Sequence, residues 1–262
     1  MPSPIDVLAD PITLATLGLF ALLLAWELVR PARRLPEVPF WWARGLLGFV
    51  CYFALATYLP FLWAEHLEAL RLVDLGGLGT LGGAIVGVLA YELALYAWHR
   101  AMHSSDVLWR VFHQLHHSAE RLDAVGAFWS SPLESAAWVV LFSLVMSVLG
   151  LAPGAVVAVS LVTTFFSIFQ HANVRTPRWL GVLVQRPEAH SLHHGRGRHR
   201  GNYADLPIID LLFGTYESPA DFAPETGFYD GASDRVWEML TFRDVSSPRE
   251  GSSDGAPDSA GA

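Results

Sequence analysis

Three long stretches of this sequence contain no charged residue, and they limit the chain to a small set of folds. They cover residues 12–26, 45–64 and 75–91. An α-helix needs about 20 apolar residues to cross the ~30 Å hydrocarbon core of a bilayer, at a rise of about 1.5 Å per residue. The composition agrees, since 52% of the residues are hydrophobic and only 16% are charged. We therefore expect three membrane-spanning helices.

The first of these helices has recognisable boundaries in the sequence. Asp10 is a favourable N-cap, Pro11 suits the first helical position, and Pro31 marks the end. The first ten residues contain no arginine, so this stretch is expected to be a retained helix and not a signal peptide. Arginine-rich loops favour the cytoplasmic side. Four arginines follow the helix, which predicts an external N-terminus: Arg30, Arg33, Arg34 and Arg44.

The third apolar stretch begins with glycines that recur every four residues. Gly79, Gly83 and Gly87 would form a flat ridge along one helix face. Small residues at this spacing let membrane helices approach closely, so the ridge predicts a packing face. This helix would return the chain to the cytoplasmic side just before His99.

A further uncharged stretch, residues 135–169, is interrupted by Gly150 and by Pro153-Gly154. Its two halves are shorter than the ~20 residues of a full crossing. We expect either a helical hairpin that enters the membrane and returns, or two short tilted spans. In both cases the two ends of the hairpin lie on the same side of the membrane.

Eight of the eleven histidines fall into three short groups with repeated spacing. In a helix, residues three and four apart share a face, so each group presents its imidazoles in one direction. Neutral imidazole is a good ligand for iron, zinc, copper and nickel. Eight imidazoles exceed what one ion can bind, which predicts two metal ions. The groups are His99/His103 (H-x-x-x-H) and, both as H-x-x-H-H, His113/His116/His117 and His190/His193/His194.

Three residues near these groups also require an interpretation. His171, at the end of the hairpin, is predicted to be a ninth ligand or a donor that orients a ligand. Glu92 lies two helical turns before His99, so it would either hydrogen-bond a ligand imidazole or pair with an arginine. His199 lies among arginines, which oppose a bound cation, and we expect it to be solvated.

Composition excludes some classes of function. The formal net charge is −8, which argues against a nucleic-acid partner. Cys51 is the single cysteine, so neither an internal disulfide nor a thiolate metal site is available. A zinc hydrolase would need a carboxylate base, and no histidine group contains one. A metal transporter would need polar or charged residues inside its spans, which are nearly free of them, with Glu92 the main exception. Both remain alternative interpretations of the histidine groups.

Four segments resemble the motifs of the sterol desaturase/fatty acid hydroxylase superfamily. They are YELALYAWHRAMH, LWRVFHQLHHSAE, FQHANV and HSLHHGRGRHRGNYADLPIIDLLFGTY, within residues 91–217. The resemblance implies an integral membrane di-iron oxygenase that uses O2 and two electrons to hydroxylate or desaturate a lipid. It also implies a separate electron donor protein. The eight grouped histidines would be iron ligands, His171 resembles the histidine that follows the hairpin, and Asn202 would orient a ligand or a metal-bound water.

Together these observations predict an all-α integral membrane protein with about three full membrane helices, a short helical hairpin and a cytoplasmic histidine-rich helical cap. Residues 1–98 would form the N-terminal membrane helices, and residues 99–217 the di-iron catalytic region. A C-terminal segment would cover residues 218–244. Residues 245–262 are rich in Ser, Gly, Asp, Pro and Ala, so we expect them to be disordered.

Overall fold

The computed structural model describes residues 1–249, which form helices joined by loops. This part of the chain has no β-strand, only an isolated bridge between Gly195 and Thr226. The all-α prediction is confirmed. The helices are α1 (Pro4–Ala9), α2 (Pro11–Val29), α3 (Trp41–Tyr58), α4 (Pro60–Glu68), α5 (Gly79–Ser104), α6 (Asp106–Leu108), α7 (Gln114–His117), α8 (Pro132–Leu149), α9 (Pro153–His171), α10 (Pro187–His193), α11 (Pro207–Phe213) and α12 (Val236–Leu240).

Five helical stretches are long and apolar enough to cross a membrane. Three of them are the expected spans, and the other two are the arms of the hairpin, α8 and α9. These arms have 18 and 19 residues, longer than the uncharged halves, because each helix continues over polar residues such as Glu134 and His171. The five stretches are Pro11–Val29, Trp41–Leu67, Gly76–Ser104, Pro132–Leu149 and Pro153–His171.

The predicted start of α2 is present, and so are two of the three glycines of the predicted packing ridge. The Asp10 side chain caps α2 by accepting hydrogen bonds from the first free backbone amides of the helix. On α5, a Cβ on Gly83 would lie 2.7 Å from Ala155 Cβ, and one on Gly87 would lie 2.6 Å from Val159 Cγ2. These two glycines therefore let α5 pack closely on α9, whereas the nearby Gly79 faces open space.

Helices α2 and α3 hold the loops that follow the second histidine group and His171. The Glu27 carboxylate, at the end of α2, accepts hydrogen bonds from the backbone amides of Ala124 and Asn173, at 2.8 and 2.9 Å. Trp41, at the start of α3, donates its indole N–H to Asp123 at 2.9 Å. The loop after the second histidine group is thus fixed from the N-terminal side.

The C-terminal segment covers the second histidine group. Gln114 donates to Arg243 O at 2.9 Å, and its amide oxygen accepts from Val245 N at 3.3 Å. Val245 is buried against Trp41 and Met239. We predicted that a disordered tail begins at Val245. The structure instead packs this residue into the core beside the helix that carries the second histidine group. Residues 250–262 of that tail lie outside the described residues.

Candidate metal centre

Four elements bring nine histidines to one place. The last turns of α5 carry the first group, the helix ending in α7 carries the second, the end of α9 carries His171, and α10 carries the third group. A π turn, Trp109–His113, precedes α7, with Gln114 N donating to Trp109 O. Such a turn inserts one extra residue into a helix and is common at functional sites. Here it sets the rotation of the second histidine group.

The nine histidines divide into two clusters, with candidate ligand nitrogens that all lie within 4.8 Å of one another in each cluster. Each H-x-x-H-H group contributes to both clusters: its i/i+4 pair points to one and its middle histidine to the other. The i/i+4 pair of the second group belongs to the five-histidine cluster, whereas the i/i+4 pair of the third group belongs to the four-histidine cluster. The five-histidine cluster is His99, His103, His113, His117 and His193, and the four-histidine cluster is His116, His171, His190 and His194.

Distances within each cluster match the spacing of ligands around one ion. In the five-histidine cluster, His113 Nε2 lies 2.9 Å from His99 Nε2 and 3.2 Å from His117 Nε2. In the other, His190 Nε2 lies 3.2 Å from His171 Nε2 and 3.1 Å from His194 Nε2. Two nitrogens at about 2.1 Å from an ion, separated by a right angle, would be about 3 Å apart.

Backbone carbonyls orient several of these imidazoles. His99 Nδ1 lies 2.7 Å from Tyr203 O, and His193 Nδ1 lies 2.7 Å from Gly201 O. His171 Nδ1 lies 2.6 Å from Ser167 O in the same way. Because a carbonyl can only accept, the proton must be on Nδ1, and the Nε2 lone pair is free to bind a metal.

The donor set fits a bound metal at each cluster. Nitrogen lone pairs that face each other at about 3 Å repel unless a cation or a proton lies between them. His103 Nε2 and His193 Nε2 are buried and have no hydrogen-bond partner among the described residues. A cation in the five-histidine cluster would satisfy both atoms.

Burial keeps these imidazoles neutral. It lowers the pKa of His116 to about 3, and repulsion from His171 acts in the same direction. Neutral imidazole is the form that binds metals, so the histidines of both clusters can act as metal ligands near neutral pH. Desolvation, with repulsion between neighbouring imidazoles, likewise lowers the pKa of His113, His117, His190, His193 and His194 well below its usual value.

Glu134 is a site residue that the sequence reasoning missed. Its Oε1 accepts a hydrogen bond from His113 Nδ1 at 2.6 Å, and the residue is 1% exposed. Its backbone amide binds Ser131 Oγ at 3.1 Å, at the start of α8. A glutamate three residues after an N-cap serine matches the capping-box pattern. The sequence therefore suggests a helix start at this position and gives no indication of a contact with histidine.

Glu92 does not contact a histidine, and both predicted roles are wrong. Its Oε2 accepts hydrogen bonds from the backbone amides of Asp205 and Leu206, at 2.9 and 3.1 Å. Among the described residues, no arginine lies within ion-pair distance of it. The reason is that the loop after the third histidine group folds back onto α5, and its backbone amides donate hydrogen bonds to the carboxylate. Glu92 thus holds the loop whose Tyr203 carbonyl orients His99.

Asn202 hydrogen-bonds backbone atoms, so it can orient a ligand only through the loop to which it belongs. Its Nδ2 donates to Ala189 O at 2.9 Å and Glu217 O at 3.0 Å, and its Oδ1 accepts from Glu217 N at 2.8 Å. Asn202 has a φ of 51°, a left-handed conformation that asparagine tolerates better than most residues. This turn positions the preceding carbonyl, Gly201 O, against His193.

His199 is half-buried, although we expected it to be solvated. Its Nδ1 lies 3.0 Å from His117 Nδ1, and its ring packs against Trp109 and Phe228. Burial lowers its pKa to about 4. His199 belongs to neither cluster, and it orients a histidine that does.

A small chamber lies beside the clusters on the membrane side. Its volume is about 100 Å³, and its walls include both histidines and aromatic residues from the membrane helices. The chamber thus adjoins both candidate metal positions. Lining residues include His99, His113, His116, His171, His190, Phe128 and Trp138.

Comparison with known proteins agrees with this geometry. The sequence profile described as fatty acid hydroxylase matches residues 84–215. An ornithine lipid hydroxylase, OlsE of Rhizobium tropici, is 31% identical over 140 residues, which cover 52% of this chain and 42% of that protein. The chain thus matches less than half the length of this relative. No solved structure matches the chain significantly. The profile match includes all nine clustered histidines.

Proposed function

The chain belongs to the fatty acid hydroxylase family, and on that premise we propose that it is a membrane lipid hydroxylase with two iron ions. One oxygen atom of O2 would enter a C–H bond of the lipid, and the other would leave as water with two electrons and two protons. The observation that carries this proposal is the division of nine histidines, eight of them buried, into two clusters beside a chamber next to the membrane helices. The relative named as a lipid hydroxylase supports hydroxylation in particular.

The residues of the chain have distinct parts in this proposal. The five-histidine cluster would hold one ion and the four-histidine cluster the other. Bound iron would supply the activation of O2 that attack on an unactivated C–H bond requires. Glu134 would make His113 a stronger ligand by accepting a hydrogen bond from its Nδ1. Phe128 and Trp138 give the wall of the chamber an apolar part, against which a lipid chain would pack.

The number of ligands favours iron over zinc. Catalytic zinc sites use three protein ligands and keep one position open. A cluster of five imidazoles exceeds this number, and even four would fill a tetrahedral zinc site. Iron accepts up to six ligands, so five or four imidazoles still leave a position for O2.

The five helical stretches are compatible with the proposed orientation. If each crosses the membrane, the arginine-rich loop after α2 and all the histidine-bearing ends lie on one side. The segment 175–200 also contains six arginines, which favours the cytoplasm for that side. The N-terminus would then be outside, and a separate electron donor protein would bind at the cytoplasmic cap.

Metal binding and oxygen uptake test this proposal together. Protein loaded with iron in the absence of air should contain close to two irons per chain. His193→Ala and His116→Ala, one in each cluster, should each lose about one iron and abolish lipid-dependent oxygen consumption. His66→Ala is the control, because His66 is exposed on α4. One tightly bound zinc and no iron, or full activity in both cluster variants, would refute the assignment.

Lipid analysis would identify the product. A strain that lacks this protein should lose lipid species that carry one extra oxygen. Loss of species with two fewer hydrogens would instead indicate desaturation.

A further inference from the structure

A larger cavity adjoins the histidine chamber on its membrane side. Its volume is about 450 Å³, and it lies between α3, α4, α8 and α9. This is within the range of about 300–1,000 Å³ for ligand pockets. Four lining residues are common to the cavity and the chamber, so the two spaces are neighbours. The shared residues are Tyr52, Tyr91, Thr163 and Thr164.

The two spaces together are long and narrow. The chamber includes Glu134, near the start of α8, and the large cavity reaches Gly150, just past the end of this helix. Sixteen residues separate them, which corresponds to about 24 Å along a helix. Half of the hydrocarbon core of a bilayer, which one acyl chain fills, is about 15 Å thick. A ligand that fills this path from end to end must therefore be a long chain in extended form.

The wall of the large cavity suits hydrocarbon. Most of its lining side chains are apolar, and the hydroxyls among them are partly satisfied by their own helices. Ser143 donates to Val139 O at 2.8 Å, and Thr163 donates to Val159 O at 2.9 Å. With their protons used in this way, these hydroxyls offer little to a polar ligand.

A single charged side chain, Arg71, lines the cavity, at the end remote from the histidines. Its Nε lies 3.1 Å from the position that a Cβ on Gly150 would take, so the side chain lies across this turn. Arg71 pairs only loosely with Asp74, at 3.7 Å, and both side chains are about half exposed or more. Such a pair is weak, so the guanidinium can bind another anion.

The loop that carries Arg71 is held in place by backbone hydrogen bonds. The amides of Leu72 and Val73 donate to Val148 O at 3.1 and 3.2 Å, and Leu75 N donates to Leu149 O at 3.1 Å. The positive charge is therefore fixed at the outer end of the path.

We infer that the cavity and the chamber together bind a single-chain amphiphile with an anionic head group. The anion lies against Arg71, and the chain passes between Tyr52, Tyr91, Thr163 and Thr164 to the histidines. This inference rests on the proposed function and deepens it, because it defines the substrate class and the position of attack. The oxidised carbon lies in the half of the chain remote from the anionic group.

Photolabelling tests the direction of the chain without iron or turnover. The probes are two long-chain fatty acids, one with a diazirine at the terminal carbon and one with a diazirine beside the carboxylate. In metal-free protein in phosphatidylcholine nanodiscs, the terminal probe should label peptides that contain Tyr52 or Thr163. The carboxylate-proximal probe should label the peptide around Arg71. The reverse pattern, or equal labelling by both probes, would overturn the inference.

Two alanines on α3 provide matched variants for this experiment. Ala56 lines the cavity, and Ala54 is exposed on the same helix. Ala56→Phe should reduce labelling by the terminal probe at least about fivefold by filling the path, whereas Ala54→Phe should not. Ser143→Leu fills the same cavity from α8 and should reduce labelling as Ala56→Phe does. The same loss from two different helices would indicate that the cavity is blocked and not that one variant is misfolded. Equal labelling of all three variants and the wild type would contradict the inference.

The charge requirement is tested by comparing a long-chain fatty acid with the corresponding fatty alcohol. The acid should bind roughly three- to tenfold more tightly, and Arg71→Gln should remove this difference. Arg30→Gln is the control, since Arg30 is exposed at the other end of the helices. Equal affinities for the acid and alcohol in the wild type would overturn the anionic head group.

The outcomes separate this inference from the proposed function. Lipid hydroxylation without the expected labelling, or with oxygen inserted near the head group, overturns the inference alone. Labelling as expected, without iron binding or oxygen uptake, overturns the proposed function alone.

Discussion

Replacement of Glu134 by glutamine tests whether the two clusters are independent metal sites. A hydrogen bond to a charged acceptor contributes about 1.5–3 kcal/mol, and one to a neutral acceptor about 0.5–1.5 kcal/mol. Glutamine at position 134 can still accept from His113 Nδ1, so Glu134→Gln should cost about 1–1.5 kcal/mol, or about tenfold in metal affinity. Glu134→Ala leaves this buried nitrogen unpaired, and its loss should approach about 100-fold.

The loss should be confined to one of the two ions. His113 belongs to the five-histidine cluster, and the described contacts link Glu134 to no histidine of the other cluster. Anaerobic titration with ferrous iron against a competing chelator measures the two affinities separately. In Glu134→Gln, one iron per chain should leave at a chelator concentration at which the wild type retains both.

A matched control separates this effect from general destabilisation. Glu27 is also a buried glutamate of a membrane helix, but it accepts hydrogen bonds only from backbone amides. Glu27→Gln should therefore leave both iron affinities unchanged. The reasoning is refuted if both variants bind iron as the wild type does, or if Glu134→Gln weakens the two sites equally.

Two further predictions concern stability. Burial lowers the pKa of His116 to about 3 and that of His199 to about 4, below the unfolded value of about 6.5. The metal-free protein should thus have its full stability above about pH 6.5. As the pH falls towards 4, each of the two histidines should lower the free energy of unfolding by up to about 1.4 kcal/mol per pH unit. A thermal unfolding temperature that does not change with pH would contradict this. Gly87→Ala places a Cβ 2.6 Å from Val159 Cγ2 and should cost about 1–3 kcal/mol. Gly18→Ala, with no atom within 4 Å, should be neutral or slightly stabilising, and equal changes in Tm for the two variants would show that the close packing is unimportant.

The membrane helices and the gathering of the histidines could be predicted from sequence because both depend on local patterns. Uncharged runs define the spans, and i/i+4 spacing defines which imidazoles share a helix face. The division into clusters could not be predicted in the same way. Whether His116 joins His113 or His190 depends on the π turn before α7 and on how α7 and α10 face each other.

The partners of the histidines were the least predictable part of the site. Every residue has a backbone carbonyl, so no pattern identifies Tyr203 O as the partner of His99. Glu92 and Asn202 were placed in the correct neighbourhood, but they bind the loops that orient ligands and not the ligands themselves. Glu134 was missed because its pattern is that of an ordinary helix start.

The bond between His99 Nδ1 and Tyr203 O has a consequence for biosynthesis. The two residues are 104 positions apart, so His99 leaves the ribosome well before the carbonyl that orients it. At about 5–20 residues per second, this interval is roughly 5–20 s. During that time the nascent histidines have no fixed tautomer and would bind copper or zinc more tightly than ferrous iron. If the clusters hold iron as proposed, we therefore expect iron to be loaded only after the loop that contains Tyr203 has been made, late in maturation.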